Sequence, residues 1–174
     1  MAMDFLKIIN TRRSIRRYAK REIPDEDIKK IIYSAMQAPS AGNEQPWHFI
    51  IVRNKEKLKE LSEIHPYGKM LSEASAAIVV CCDPKLSKYK LPMWVQDCSA
   101  ATQNILLSAR ALGIGSCWLG VYPDEKRMKG IAKALGVPDE IVVFSIVSLG
   151  YPVSEEEFYE ADRFREDRIH YEKW

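Results

Sequence analysis

Apolar residues recur along this chain with two different periods. Phe5, Leu6, Ile8 and Ile9 give Asp4–Asn10 the pattern of a short amphipathic helix. Ile28, Ile31, Ile32, Ala35 and Met36 fall at helical spacing in a second helix, which Pro24-Asp25-Glu26-Asp27 opens. Asp25 is its expected N-cap, and the acids suit the positive end of the helix. The stripe stops at Pro39. Ala38–Pro46 (APSAGNEQP) is a loop by its breaker residues, and Trp47–Val52 (WHFIIV) is a strand. Asn54 caps a helix carrying Leu58 and Leu61. Ala76–Cys82 (AAIVVCC) is apolar at successive positions, which predicts a central strand buried on both faces. Met93–Leu112 is the longest helix. Its second half, Ala100–Leu112, is apolar nearly all round and so buried on several sides, and Gly113 closes it. Ile114–Leu119 is a third strand, Asp124–Leu135 a helix closed by Gly136, and Ile141–Leu149 a fourth strand. This alternation predicts three layers, with helices over a mostly buried sheet.

The end of the chain breaks the pattern. Tyr151–Trp174 holds eight acids and four basic residues, with Phe158, Tyr159, Phe164, Ile169, Tyr171 and Trp174 among them. So aromatic an end is expected to pack on something, and a partner subunit is a good candidate. The 174 residues fit one domain, residues 1–174, and 47% apolar residues supply its core. A net charge of +2 argues against a general polyanion binder. The longest uncharged apolar stretches, Ala74–Cys82 and Ile141–Leu149, fall far short of the ~20 residues of a membrane helix. Met1–Asn10 contains Asp4 and no long apolar run, so no signal peptide is expected. Cys81, Cys82, Cys98 and Cys117 lack C-x-x-C spacing, and His48, His65 and His170 do not stand at ligand spacing to them. Buried free thiols in a reducing cytoplasm are expected, with no disulfide framework and no metal site.

Candidate chemistry lies in three places. Arg12–Arg21 carries six Arg or Lys and no acid. Within it, Arg12-Arg13-Ser14-Ile15-Arg16 offers guanidinium forks and a hydroxyl suited to phosphate oxygens, or else forms a solvated basic loop. A nucleic-acid reading finds one interleaved aromatic, Tyr18, and no supporting motif. Pro39-Ser40-Ala41-Gly42-Asn43, with Gln45-Pro46-Trp47, combines small residues that admit a flat ligand with polar groups that read its edge; it is equally a plain helix-to-strand turn. Gly113–Gly120 (GIGSCWLG) is glycine-rich, but its G-x-G leads into a strand, whereas the dinucleotide fingerprint needs it to lead into a helix. No nucleophile elbow, H-E-x-x-H or Walker lysine is present. Phosphate-gripping arginines without an evident acid, base or nucleophile suggest that a cofactor does the chemistry.

Together RRSIR at Arg12–Arg16, APSAGNEQPWHF at Ala38–Phe49, GIGSCWLG, LGYP at Leu149–Pro152 and the ending ADRFREDRIHYEKW resemble the nitroreductase family of FMN flavoproteins, its small compact branch, across essentially the whole chain. The resemblance implies an α+β, three-layer fold with a mixed, mainly antiparallel sheet flanked by helices. It implies a homodimer with FMN at the interface and a C-terminal tail extending onto the partner subunit. By matching position, Arg12, Ser14 and Arg163 would hold the FMN phosphate, with Arg13 nearby and Arg16 beside the N1/O2 edge of the ring. Pro39, Ser40, Ala41 and Asn43 would come from the other subunit, with Gln45 close behind. Cys117, Trp118, Leu119 and Gly120 would line the ring, and Lys69 matches a ring-contacting lysine. The expected activity is hydride transfer from NAD(P)H through the flavin to nitroaromatic, quinone or similar small-molecule acceptors in ping-pong fashion; the alternative is a flavin-binding protein for storage or sensing. No residue need be covalently involved. Deiodinase-type relatives carry a long lid, but the connection Pro84–Pro92 is nine residues here, so iodotyrosine chemistry is not expected. Ala161 and Asp162 stand where a second basic residue often precedes the tail arginine.

Overall fold

The computed structural model describes residues 4–174. Met1–Met3, at the start of the segment read for a signal peptide, lie outside them. Helix α1 spans Phe5–Thr11 and α2 Asp25–Met36, followed by strand β1 at Trp47–Val52 and α3 at Lys55–Ile64. Then come β2 at Ala76–Cys82, α4 at Trp94–Ala111, β3 at Gly115–Gly120, α5 at Glu125–Leu135 and β4 at Val142–Gly150. The strands lie in the order β1-β2-β4-β3, and every neighbouring pair is antiparallel. Among the described residues, the parallel component of the expected mixed sheet reduces to the single bridge Ser14–Ser116.

Alternation along β2 divides the core in two. Ala76, Ile78, Val80 and Cys82 face one layer, where Ile28, Ile31 and Ala35 of α2 meet Cys98, Ala101 and Ile105 of α4. Ala77, Val79 and Cys81 face the other, with Leu58 and Leu61 of α3 and Ile131 of α5. All seven β2 residues are buried, as the unbroken apolar run implies. The four cysteines are buried and free, and burial pushes the Cys81 thiol up to about 12.

Local signals set most element ends. The Asn54 side chain accepts the Lys57 N–H at 2.9 Å, and the Asp124 side chain accepts that of Arg127 at 2.9 Å, each cap contributing about 1 kcal/mol. Gly136, at φ 66°, closes α5. At the end of α4, Gly113 takes φ 71° and the Ile114 N–H returns to the Ala109 carbonyl at 2.8 Å. That bond keeps Ile114 out of β3, which starts one residue later than expected. Pro24, not Asp25, is the N-cap of α2: Asp25 is the first helical residue, and its carboxylate pairs with Arg53. Met36, expected in the buried stripe, is exposed at the last turn. Among the described residues no helix is long and apolar enough to cross a membrane.

Candidate functional site

The basic segment after α1 runs extended beside the first residues of β3. Ser14 bridges Ser116, and the Ile15 N–H donates to the Ser116 carbonyl at 2.9 Å. Extended backbone alternates its side chains, so Arg13 and Ile15 turn inward while Ser14 and Arg16 are exposed together. Two glycines make room for this segment. Gly115 and Gly150 are register partners across β3 and β4. A Cβ on Gly115 would stand 2.9 Å from the Ile15 side chain, and one on Gly150 would stand 2.6 Å from the Tyr18 ring. The Tyr18 hydroxyl donates to the Ile15 carbonyl at 2.8 Å and lies 2.7 Å from the Ser148 hydroxyl, anchoring the segment to β4.

Arg163 of the tail comes to the same place. A groove of about 690 Å³ is lined by Arg12, Arg13, Glu160, Asp162 and Arg163, among others. Burial, then the neighbouring Arg13 and Arg163 cations, hold the Arg12 guanidinium below its ordinary pKa. Arg13 is 8% exposed; its Nη1 donates to the Arg12 carbonyl at 2.7 Å, while its Nε is buried without a partner. Its guanidinium lies over the Tyr159 ring, 4.7 Å from the centroid. Among the described residues none of these three arginines forms a salt bridge, although Glu160 and Asp162 line the same groove. Three converging cations, one with an orphaned buried donor, are suited to a multiply charged anion such as a phosphate monoester.

Pro39, Ser40, Ala41, Asn43 and Gln45 form a separate group on the α2–β1 loop. Gly42, Asn43 and Gln45 take φ of 57°, 55° and 51°, with Glu44 between them at φ −75°, so two non-glycine residues stand in the left-handed region. Ser40 Oγ accepts the Gln45 N–H at 3.0 Å, and Gln45 Nε2 donates to Asn43 Oδ1 at 2.9 Å. Pro39, Ser40 and Ala41 line a cavity of about 330 Å³ against α4 that shares no residue with the arginine groove.

Along β3, Cys117 and Leu119 are buried in the core and Trp118 is half-buried against Phe144, leaving Gly120 exposed at the end. A Cβ on Gly120 would meet nothing within 4 Å, so there is open space beside this end. Burial raises the Cys117 thiol pKa, partly offset by Arg16, Ser14 and Arg12. The group Arg12, Ser14, Arg16 and Cys117 is therefore gathered in one chain. Lys69 is exposed on the turn Lys69–Glu73.

Sequence reasoning missed three residues. His65 is buried, its Nε2 2.8 Å from the Gly120 carbonyl and its Nδ1 accepting the Tyr67 N–H at 3.2 Å. Asp97 is 4% exposed in the first turn of α4, and its Oδ1 accepts the Ala41 N–H at 2.9 Å. Arg110 is buried beneath the tail. Asp97 and Arg110 had a legible signal, each being a charge within a largely apolar helix; His65 had none.

The Nitroreductase family model matches residues 9–66 and 65–151. The chain is 69% identical over 172 residues to an Archaeoglobus fulgidus protein named "Putative NADH dehydrogenase/NAD(P)H nitroreductase", covering 98% of this chain and 99% of that one. Among solved structures, an FMN-dependent nitroreductase from Clostridium difficile superposes with a TM-score of 0.89 at 34% identity, covering 97% of this chain and 99% of that one. A Desulfovibrio desulfuricans protein solved in complex with FMN gives 0.84 at 27% identity, covering 100% and 99%.

Proposed function

Because the chain belongs to the nitroreductase family of oxidoreductases, we propose that it is an FMN-dependent enzyme that takes reducing equivalents from NAD(P)H. The convergence of Arg12, Arg13 and Arg163, with the orphaned Arg13 Nε, carries this reading. Arg12, Ser14 and Arg163 hold the FMN phosphate, and Arg13 supports them from below. FMN, when bound, would supply hydride transfer from NAD(P)H to a nitroaromatic, quinone or similar conjugated acceptor. Arg16, exposed beside Ser14, supplies a fixed positive charge to the N1/O2 edge, where negative charge collects. Gly120 leaves the end of β3 open to the ring, with Cys117, Trp118 and Leu119 behind it, and Lys69 reaches the ring from its turn. One cleft admits donor and acceptor in turn, which gives ping-pong kinetics.

The chain works as a homodimer, residues 1–174 of each copy forming one flavin-binding unit. Pro39, Ser40, Ala41, Asn43 and Gln45 complete the partner's site, in accord with Pro39, Ser40 and Ala41 lining a cavity separate from the arginine groove. The exposed Phe5 and Leu6 of α1, and Phe164, Tyr171 and Trp174 of the tail, are apolar surface for the second copy to cover. An absorbance spectrum of the purified protein, before and after anaerobic NADH and then NADPH, tests the proposal. A flavin spectrum that bleaches supports it. A flavin spectrum that neither donor bleaches favours the storage or sensing alternative, and a colourless protein that takes up no FMN refutes both.

A further inference from the structure

Asp97 is a buried carboxylate on the face of α4 that also buries Trp94, Cys98 and Ala101. Its Oδ1 accepts the Ala41 N–H, while its Oδ2 is buried with no partner. For stability alone this is a poor arrangement: burying a carboxylate with half its acceptor capacity unmet costs more than an apolar or amide residue would. The α2–β1 loop supplies a reason for it. Its other bonds, Asn43 N–H to Ser40 carbonyl, Glu44 N–H to Ala41 carbonyl and Gln45 N–H to Ser40 Oγ, are local. They hold the shape of a strained turn but not its place. Glu44 Oε1 accepts the Lys88 N–H at 2.6 Å, from a neighbouring connection outside the helices and strands. Among the described residues, the Ala41–Asp97 bond is the one hydrogen bond that ties the loop from Pro39 to Gln45 to a helix.

We propose that Asp97 is the positioning residue of the flavin site: it fixes Ser40–Asn43 on α4, and so aims the loop at the FMN held by the second copy. The inference rests on the FMN reading above, and it assigns Asp97 a role through Ala41. Its test compares Asp97→Ala, Asp97→Asn and Ala41→Pro in the full-length protein. FMN affinity is read by titrating apoprotein, loop placement by the visible circular dichroism of bound flavin at saturation, and catalysis by separate kcat and KM for NADH. Asp97→Ala is expected to weaken FMN tenfold or more and to change the dichroism. Asp97→Asn, which keeps an oxygen acceptor for Ala41, is expected to regain affinity within threefold of the parent. Ala41→Pro deletes the donor while Asp97 stays; Ser40, at φ −140° and ψ 152°, already has a conformation suited to a residue before proline. It is expected to follow Asp97→Ala, and it carries the test should Asp97→Ala not fold. FMN binding within threefold of the parent with unchanged dichroism in Asp97→Ala or Ala41→Pro overturns the proposal, as does a folded Asp97→Asn that loses as much affinity as Asp97→Ala. A parent protein that takes up no FMN overturns the functional reading instead, which separates the two failures.

Discussion

Arg110 joins the tail to the start of the basic segment. Its guanidinium lies 4.1 Å from the centre of the Phe158 ring, while its Nε donates to Thr11 Oγ1 at 2.9 Å. Thr11 directly precedes Arg12, and Phe158 lies five residues before Arg163. One buried side chain on α4 thus sets how far apart the two halves of the arginine groove stand. A cation–π contact of this kind is worth about 1 kcal/mol. Phe158→Ala is expected to raise the FMN dissociation constant about fivefold. Titration of the apoprotein checks this, and an unchanged constant removes the tail from the phosphate site.

The arginines should separate by role. Arg12→Ala and Arg163→Ala each remove a charged donor worth about 1.5–3 kcal/mol, so FMN retention should fall about tenfold to a hundredfold. Arg16→Ala should instead lower the rate of anaerobic reduction, by up to about a hundredfold, more than it lowers retention. Stopped-flow reduction beside equilibrium titration distinguishes the two classes. If Arg163→Ala binds FMN as tightly as the parent, the tail arginine has been misassigned.

Gly150 is a packing requirement of the site segment. An added Cβ meets the Tyr18 ring at 2.6 Å, a clash that displaces Tyr18 from Ser148. Gly150→Ala should cost about 1–3 kcal/mol, lowering the melting temperature by about 3–10 °C. Thermal unfolding of the apoprotein measures it, and an unaltered melting temperature would falsify the packing argument.

His65 gives folding stability a pH dependence of definite sign. Desolvation, then the nearby Arg127, lowers its pKa from 6.5, and its Nδ1 is already committed as an acceptor. The folded state therefore prefers neutral imidazole. Its contribution is complete above about pH 6.5 and is lost as pH falls through the lower folded value. Melting temperatures between pH 7.5 and 5 should drop less steeply for His65→Gln than for the parent; equal slopes would remove His65 from the acid response.

Truncation after Tyr159 removes Arg163 together with Phe164, Tyr171 and Trp174, which are 69%, 82% and 99% exposed in the single chain. Under the shared-site reading the shortened chain should lose dimer and flavin together. Light scattering combined with absorbance reads both at once. A folded monomer carrying flavin would contradict a site built from two copies.

Elements and layers were legible in the amino-acid order because their signals are local. Asn54 and Asp124 cap from their own first turns, Gly113 and Gly136 close helices through their own φ, and the apolar run at Ala76–Cys82 declares burial on two faces. The motif blocks around Arg12–Arg16 and Ala38–Phe49 could be picked out for the same reason. What binds those blocks to one another was not written locally. The contacts of Gly115 with Ile15 and of Gly150 with Tyr18, those of Arg110 with Thr11 and Phe158, and the Asp97 grip on Ala41 join residues 48 to 132 positions apart. A buried charge is tolerable only where the fold brings it a partner, and a glycine is required only where another backbone or ring approaches. Such requirements come into being with the tertiary contact, so only the packed chain could disclose them.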